Sequence, residues 1–131
     1  MIAGSGSVIT DVITLMNLDE FIANLKLDST DAAVSKLATL LCEWKLDSSD
    51  VNQLCSFVER YFGNCWIGST ERHDNLHRQW LDFKRDAIDT IDGQTMNERL
   101  YWFGLHDQFD GTSTTDARNQ IYSKLLASPQ L

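Results

Sequence analysis

The sequence predicts an all-α fold, a single compact bundle of five or six helices joined by short loops. Three observations predict it. Apolar residues recur at the three- and four-residue spacing that gathers them on one face of a helix. Clusters of short polar residues, good helix N-caps, fall at regular intervals ahead of those apolar runs. Strict alternation of apolar and polar residues over a strand's length occurs nowhere, and the one proline, Pro129, stands where it interrupts no helix.

Residues 1–7, which include Ala3-Gly4-Ser5-Gly6-Ser7, read as a flexible N-terminal tail, and residues 8–131 as one helical domain. Asn17 followed by Glu20 has capping-box spacing, and either opens a helix through Leu25 or lies within one that begins near Ser7. Lys26-Leu27-Asp28-Ser29-Thr30-Asp31 is echoed by Lys45-Leu46-Asp47-Ser48-Ser49-Asp50. The residues after each copy do not repeat, so the echo is one helix-start device used twice and not a solenoid repeat. The first copy opens a helix to about Trp44, with Ala33, Leu37, Leu40, Leu41 and Trp44 on one side. The second opens a helix to about Phe62, with Val51, Leu54, Phe57, Val58, Tyr61 and Phe62 as its apolar set and Gly63 as the expected C′ residue. Cys65, Trp66 and Ile67, in the loop that follows, are expected to plug the core.

A long helix is predicted from about Thr70 to Ile91, closed by Asp92-Gly93. At 100° per residue, Leu76, Trp80, Leu81, Phe83, Ala87, Ile88 and Ile91 form its apolar face, while Arg78–Asp82 and Arg85–Asp89 stand at i,i+4 spacing. Thr95-x-x-Glu98 is a capping box for a helix ending at Asp110-Gly111, with Gly104 in its middle. Ser113-x-x-Asp116 opens the last helix, to about Ala127.

The chain has 131 residues, 43% hydrophobic and 23% charged, an ordinary globular mix for one domain. Its formal charge of −8 has the wrong sign for nucleic acid phosphate or anionic lipid, so neither nucleic acid nor membrane is expected as a partner. No run approaches the ~20 apolar residues of a membrane span, and Asp11 interrupts the one apolar stretch that a signal peptide would need. Cys42, Cys55 and Cys65 are odd in number and contain no CxxC pair. They read as reduced thiols in a cytoplasmic protein, not as a disulfide framework.

Three features invite a functional reading. His73-Asp74-Asn75-Leu76-His77 places two histidines one helical turn apart, where both can reach one metal ion. It has the outline of HExxH, but Asp74 is too short to serve a metal-bound water as the glutamate does, and only His106 is available as a third ligand. The run from Tyr101 to Phe109 holds four aromatics that cannot all point the same way: either the helix is central and surrounded, or some rings are exposed, with Trp102 and Phe109 as candidates for a partner surface.

The third feature is the acidic surplus. Asp28, Asp31, Asp47, Asp50, Glu71, Asp74, Glu98 and Asp116 sit at or near predicted helix starts, where they oppose the helix dipole. Asp82, Asp86, Asp89 and Asp92 do not, and form an acidic ridge along the long helix.

These features point to a small acidic protein-interaction module, immunity-like (neutralising) or adaptor in character, that binds a basic protein partner. Asp82, Asp86, Asp89, Asp92, Trp102 and Phe109 would make the contact. No catalytic residue and no cofactor are predicted, and a homo-oligomer built on Trp102 and Phe109 is compatible with the pattern. The alternative is a metal-dependent or small-molecule enzyme using His73 and His77, with His106.

Overall fold

The structure, a computed structural model, describes residues 16–27, 30–65 and 67–128, and all their regular structure is helical. The predicted tail at 1–7, the helix-start acid Asp28, the loop residue Trp66 and Pro129 lie outside the described residues. The helices are α1 (Leu18–Lys26), α2 (Ala32–Leu46), α3 (Val51–Asn64), α4 (Thr70–Phe83), α5 (Met96–Phe103), α6 (His106–Asp110) and α7 (Thr115–Lys124).

Local capping chemistry sets most of the starts. Asn17 is the N-cap of α1: its side chain accepts the N–H of Glu20 while Glu20 accepts that of Asn17, both at 2.9 Å. The helix therefore begins here, one of the two starts that the spacing allowed. Asp31 and Asp50, the last residues of the two echoed segments, are themselves the N-caps of α2 and α3. The echo thus supplies the cap itself, with the acid one step earlier than the first turn. Ser69 caps α4, and Thr95 with Glu98 forms the capping box of α5. The last helix starts one residue later than expected, because Thr114 and not Ser113 accepts the N–H of Ala117.

The seven helices among the described residues exceed the expected five or six because the helix predicted to run from Thr95 to Asp110 is two. Gly104 adopts a left-handed conformation (φ +66°) and ends α5. The N–H of Leu105 donates to Leu100 O and that of Gly104 to Tyr101 O, the paired bonds of a Schellman cap. Leu100 and Leu105 are both buried at this junction, its usual apolar contact. Gly63, the expected terminator of α3, instead lies within that helix.

The long helix also departs from prediction. After Phe83 the chain makes a π-helical turn, Lys84–Ile88, with the N–H of Asp89 bonded to Lys84 O five residues back, then a 3-10 turn at Ile91–Gly93. Gln94 stabilises this ending by donating to Ala87 O and to Thr90 Oγ1, each at 3.0 Å. The predicted apolar face nonetheless survives the change of register, with Ala87 and Ile91 buried and Ile88 packed against the core; Leu81, before the turn, is the exception at 44% exposed.

One core joins the elements. An aromatic chain threads it from α1 to α2: Phe21–Trp80 at 6.3 Å, Trp80–Phe83 at 5.6 Å, Phe83–Phe103 at 5.5 Å and Phe103–Trp44 at 5.7 Å between ring centroids. Ile67 is fully buried, as the loop-plug reading required, while Cys65 is only partly so. Among the described residues, two cations are buried in the same body. Arg99 Nη1 donates to Leu125 O (2.9 Å) and Leu126 O (2.8 Å), satisfying carbonyls at the end of α7, and Lys124 binds the α2–α3 loop.

Candidate functional site

The acidic ridge is partly neutralised by two cations of its own segment, Lys84 and Arg85. Arg85 lies between Asp82 and Asp86, with Nη1 3.3 Å from the first and Nε 3.1 Å from the second. Lys84 stands 3.8 Å from Asp89 and 3.6 Å from Glu59. Neither pair expected at i,i+4, Arg78–Asp82 or Arg85–Asp89, is among these contacts. Asp92, in the 3-10 turn, is exposed and makes no ion pair among the described residues.

Trp102 and Phe109 are partly buried and pack on the core. Trp102 meets Phe83 edge-on at 6.4 Å, and Phe109 meets Tyr122 at 5.7 Å. The exposed ring of that segment is Tyr101, at 47%.

His73 is buried, and its Nδ1 accepts the N–H of Ile67 at 3.2 Å, so the proton sits on Nε2. Phe62 packs against both rings of the pair, 5.6 Å from His73 and 5.0 Å from His77. His106 opens α6 in a small cleft beside Asn17, Asp19 and Tyr101. Among the described residues, no group of three histidine, cysteine or carboxylate side chains is placed to hold a metal ion.

The concave apolar surface lies elsewhere, along the antiparallel hairpin of α2 and α3. Each helix carries an adjacent apolar pair whose members stand about 100° apart, and the packing here buries only one of each. Leu41 and Val58 take the core and are fully buried, leaving Leu40 and Phe57 partly buried at its edge, with Phe57 packed against it. With Trp44 these two line an open groove of about 660 Å³. Glu43, Asp47 and Asp50 stand at its loop end and Arg60 toward its open end.

Hydrogen bonds hold the groove at both ends. At the loop, the Trp44 indole donates to Asp50 O at 3.0 Å. Lys124 Nζ donates to Asp47 O and Ser49 O, each at 2.8 Å, and to the Asp47 carboxylate at 3.3 Å. Burial lowers the Lys124 pKa, against the raising pull of Asp47 and Asp50. At the far end, the Tyr61 hydroxyl donates to Ala33 O at 2.6 Å. Burial, with Cys65 and Asp31 nearby, raises the pKa of that hydroxyl.

A second hollow of about 760 Å³, between the end of α1 and α4, is lined mainly by polar side chains such as Asn24, Glu71, Arg72 and Asn75. Leu27 at its edge and Leu46 at the end of α2, equivalent positions of the echoed segments, are 86% and 78% exposed.

No family model matches the chain, and no solved structure matches it significantly. The chain is 28% identical over 129 residues to protein translocase subunit SecA of Orientia tsutsugamushi, in strains Ikeda and Boryong alike. The alignment covers 92% of this chain but 14% of the length of those subunits.

Proposed function

We propose that the chain is a protein-interaction module, neutralising or adaptor in character, that binds a basic protein partner through the α2–α3 groove. The groove itself carries the reading: the part-exposed apolar side chains of Leu40 and Phe57 are held in a preformed trough, and preformed surfaces lose little entropy on binding. The formal charge of −8 supports a basic partner, which it would attract at long range. The alignment of nearly the whole chain with a short stretch of much longer translocase subunits supports a module that larger proteins can also carry. In this reading Trp102 and Phe109 pack against the core, the acids of α4 and its π-turn contribute general charge, and the protein works in the cytoplasm.

Affinity capture from the native host, at low and at high salt, tests the proposal. The expected result is a partner retained in stoichiometric amount at low salt, released at high salt, and not retained when Ser56→Arg fills the groove. Retention of no partner at either salt overturns it.

A further inference from the structure

We infer that the α2–α3 groove takes an amphipathic helical segment of a protein partner, two to three turns long, whose lysine- or arginine-bearing end lies over the α2–α3 loop. The inference rests on the interaction-module reading and names what that module binds.

Length, backbone chemistry and charge each contribute. From Asp50 to Arg60 the groove follows α3 for about 15 Å, the length of two to three helical turns. Apolar side chains at i and i+4 of such a segment would meet Leu40 and Phe57, the partly buried apolar side chains that line the groove. An extended strand is a poor occupant. Along the groove α2 and α3 spend their N–H and C=O groups on their own helices, so a strand would lose water from its amides and gain no partner, whereas a helix satisfies its own backbone.

Charge then sets direction. Glu43, Asp47 and Asp50 gather where α2 turns into α3, and Arg60 stands at the other end. Lys124 is buried against the loop carbonyls and offsets part of the Asp47 charge, while the exposed carboxylate of Glu43 faces solvent at the rim. A cationic end over the loop and a neutral or acidic end at Arg60 is the complementary orientation.

Titration of the isotope-labelled chain with a synthetic 14-residue helical peptide, followed by amide chemical shifts, tests the inference. The probe carries leucines at i, i+4 and i+7 and lysines in its last turn; a twin carries glutamates in place of the lysines. The lysine probe is expected to move the amides of Leu40, Glu43, Gln53 and Ser56, and to bind about tenfold or more tighter than its twin at low salt. Glu43→Lys should weaken it by about tenfold, while Asp110→Lys, at an exposed position outside the groove, leaves it unchanged. Shifts centred elsewhere, equal binding of the two probes, or no binding would overturn the inference. So would self-association of the chain, by light scattering, with shifts at the groove, since the occupant would then be a second copy. Each of these outcomes leaves the interaction-module reading standing, because that reading depends on the captured partner and not on the probe.

Discussion

The ammonium of Lys124 lies 4.0 Å from the centroid of the Trp44 ring while it donates to the carbonyls of Asp47 and Ser49. One side chain of the last helix thereby serves the carbonyls at the end of α2 and braces the aromatic floor of the groove. Lys124→Met retains the aliphatic stem but leaves those carbonyls without their buried donor, and should cost about 2–4 kcal/mol in urea unfolding. A pH dependence accompanies it. Burial lowers the Lys124 pKa, so just below the ordinary lysine value the unfolded chain holds more protons than the folded one. The desolvation penalty is thus relieved as pH rises through that window, and the gap between wild type and Lys124→Met should widen there. A constant gap across the window would contradict this.

Two glycines should respond oppositely to the same substitution. Gly104 has φ +66°, and a Cβ there would land on the carboxylate of Asp19, which pairs with Lys45 at 2.5 Å. Gly104→Ala combines left-handed strain with displacement of that carboxylate and should cost about 2–4 kcal/mol. Gly63 lies inside α3, and a methyl group there would meet nothing within 4 Å. Gly63→Ala should stabilise the chain by about 0.4–1 kcal/mol through helix propensity and reduced unfolded-state entropy. Thermal unfolding of the two variants separates these predictions by sign.

His73 is expected to matter for the fold. Its Nδ1 accepts the buried N–H of Ile67, and Phe62 stands edge-on to its ring. His73→Phe keeps much of the volume but orphans that amide, with an expected loss of about 1–3 kcal/mol. His77→Phe, at a partly buried ring, should cost less. Equal costs in chemical denaturation would mean that the Ile67 bond is not what His73 provides.

The helix starts are legible in the sequence because capping is local chemistry: Asn17, Asp31, Asp50, Ser69 and Thr95 each bond within three residues of themselves. Gly104 reads as a mid-helix residue because nothing nearby in sequence distinguishes an interior glycine from a terminating one. The close approach of Asp19, from the other end of the chain, leaves no room there for a Cβ. The π-turn is hidden for a related reason, since a change of hydrogen-bond register leaves the residue pattern untouched. Lys124 finds its acceptors more than seventy residues upstream, and no periodicity announces that. The groove leaves a trace in the doublets Leu40-Leu41 and Phe57-Val58, but which member of each faces the core depends on packing between helices.

Cys55 should be the slow thiol. Its Sγ lies 3.7 Å from the carboxylate of Glu59, and burial together with that negative charge pushes its pKa from 9.0 up to about 11. At pH 8 this cuts the thiolate fraction about a hundredfold, while the greater nucleophilicity of the more basic thiolate restores nearly tenfold, a net slowing of about tenfold. Iodoacetamide labelling followed by mass spectrometry should show Cys55 in the native chain reacting about tenfold more slowly than in the unfolded chain. Glu59→Gln removes one of the two main causes and should recover part of the rate. The same shift carries a stability signature: between pH 9 and 11 the unfolded chain releases a proton that the folded chain retains, so the contribution of this thiol to stability falls as pH rises. Labelling of Cys55 at the unfolded rate would show that neither burial nor Glu59 protects it.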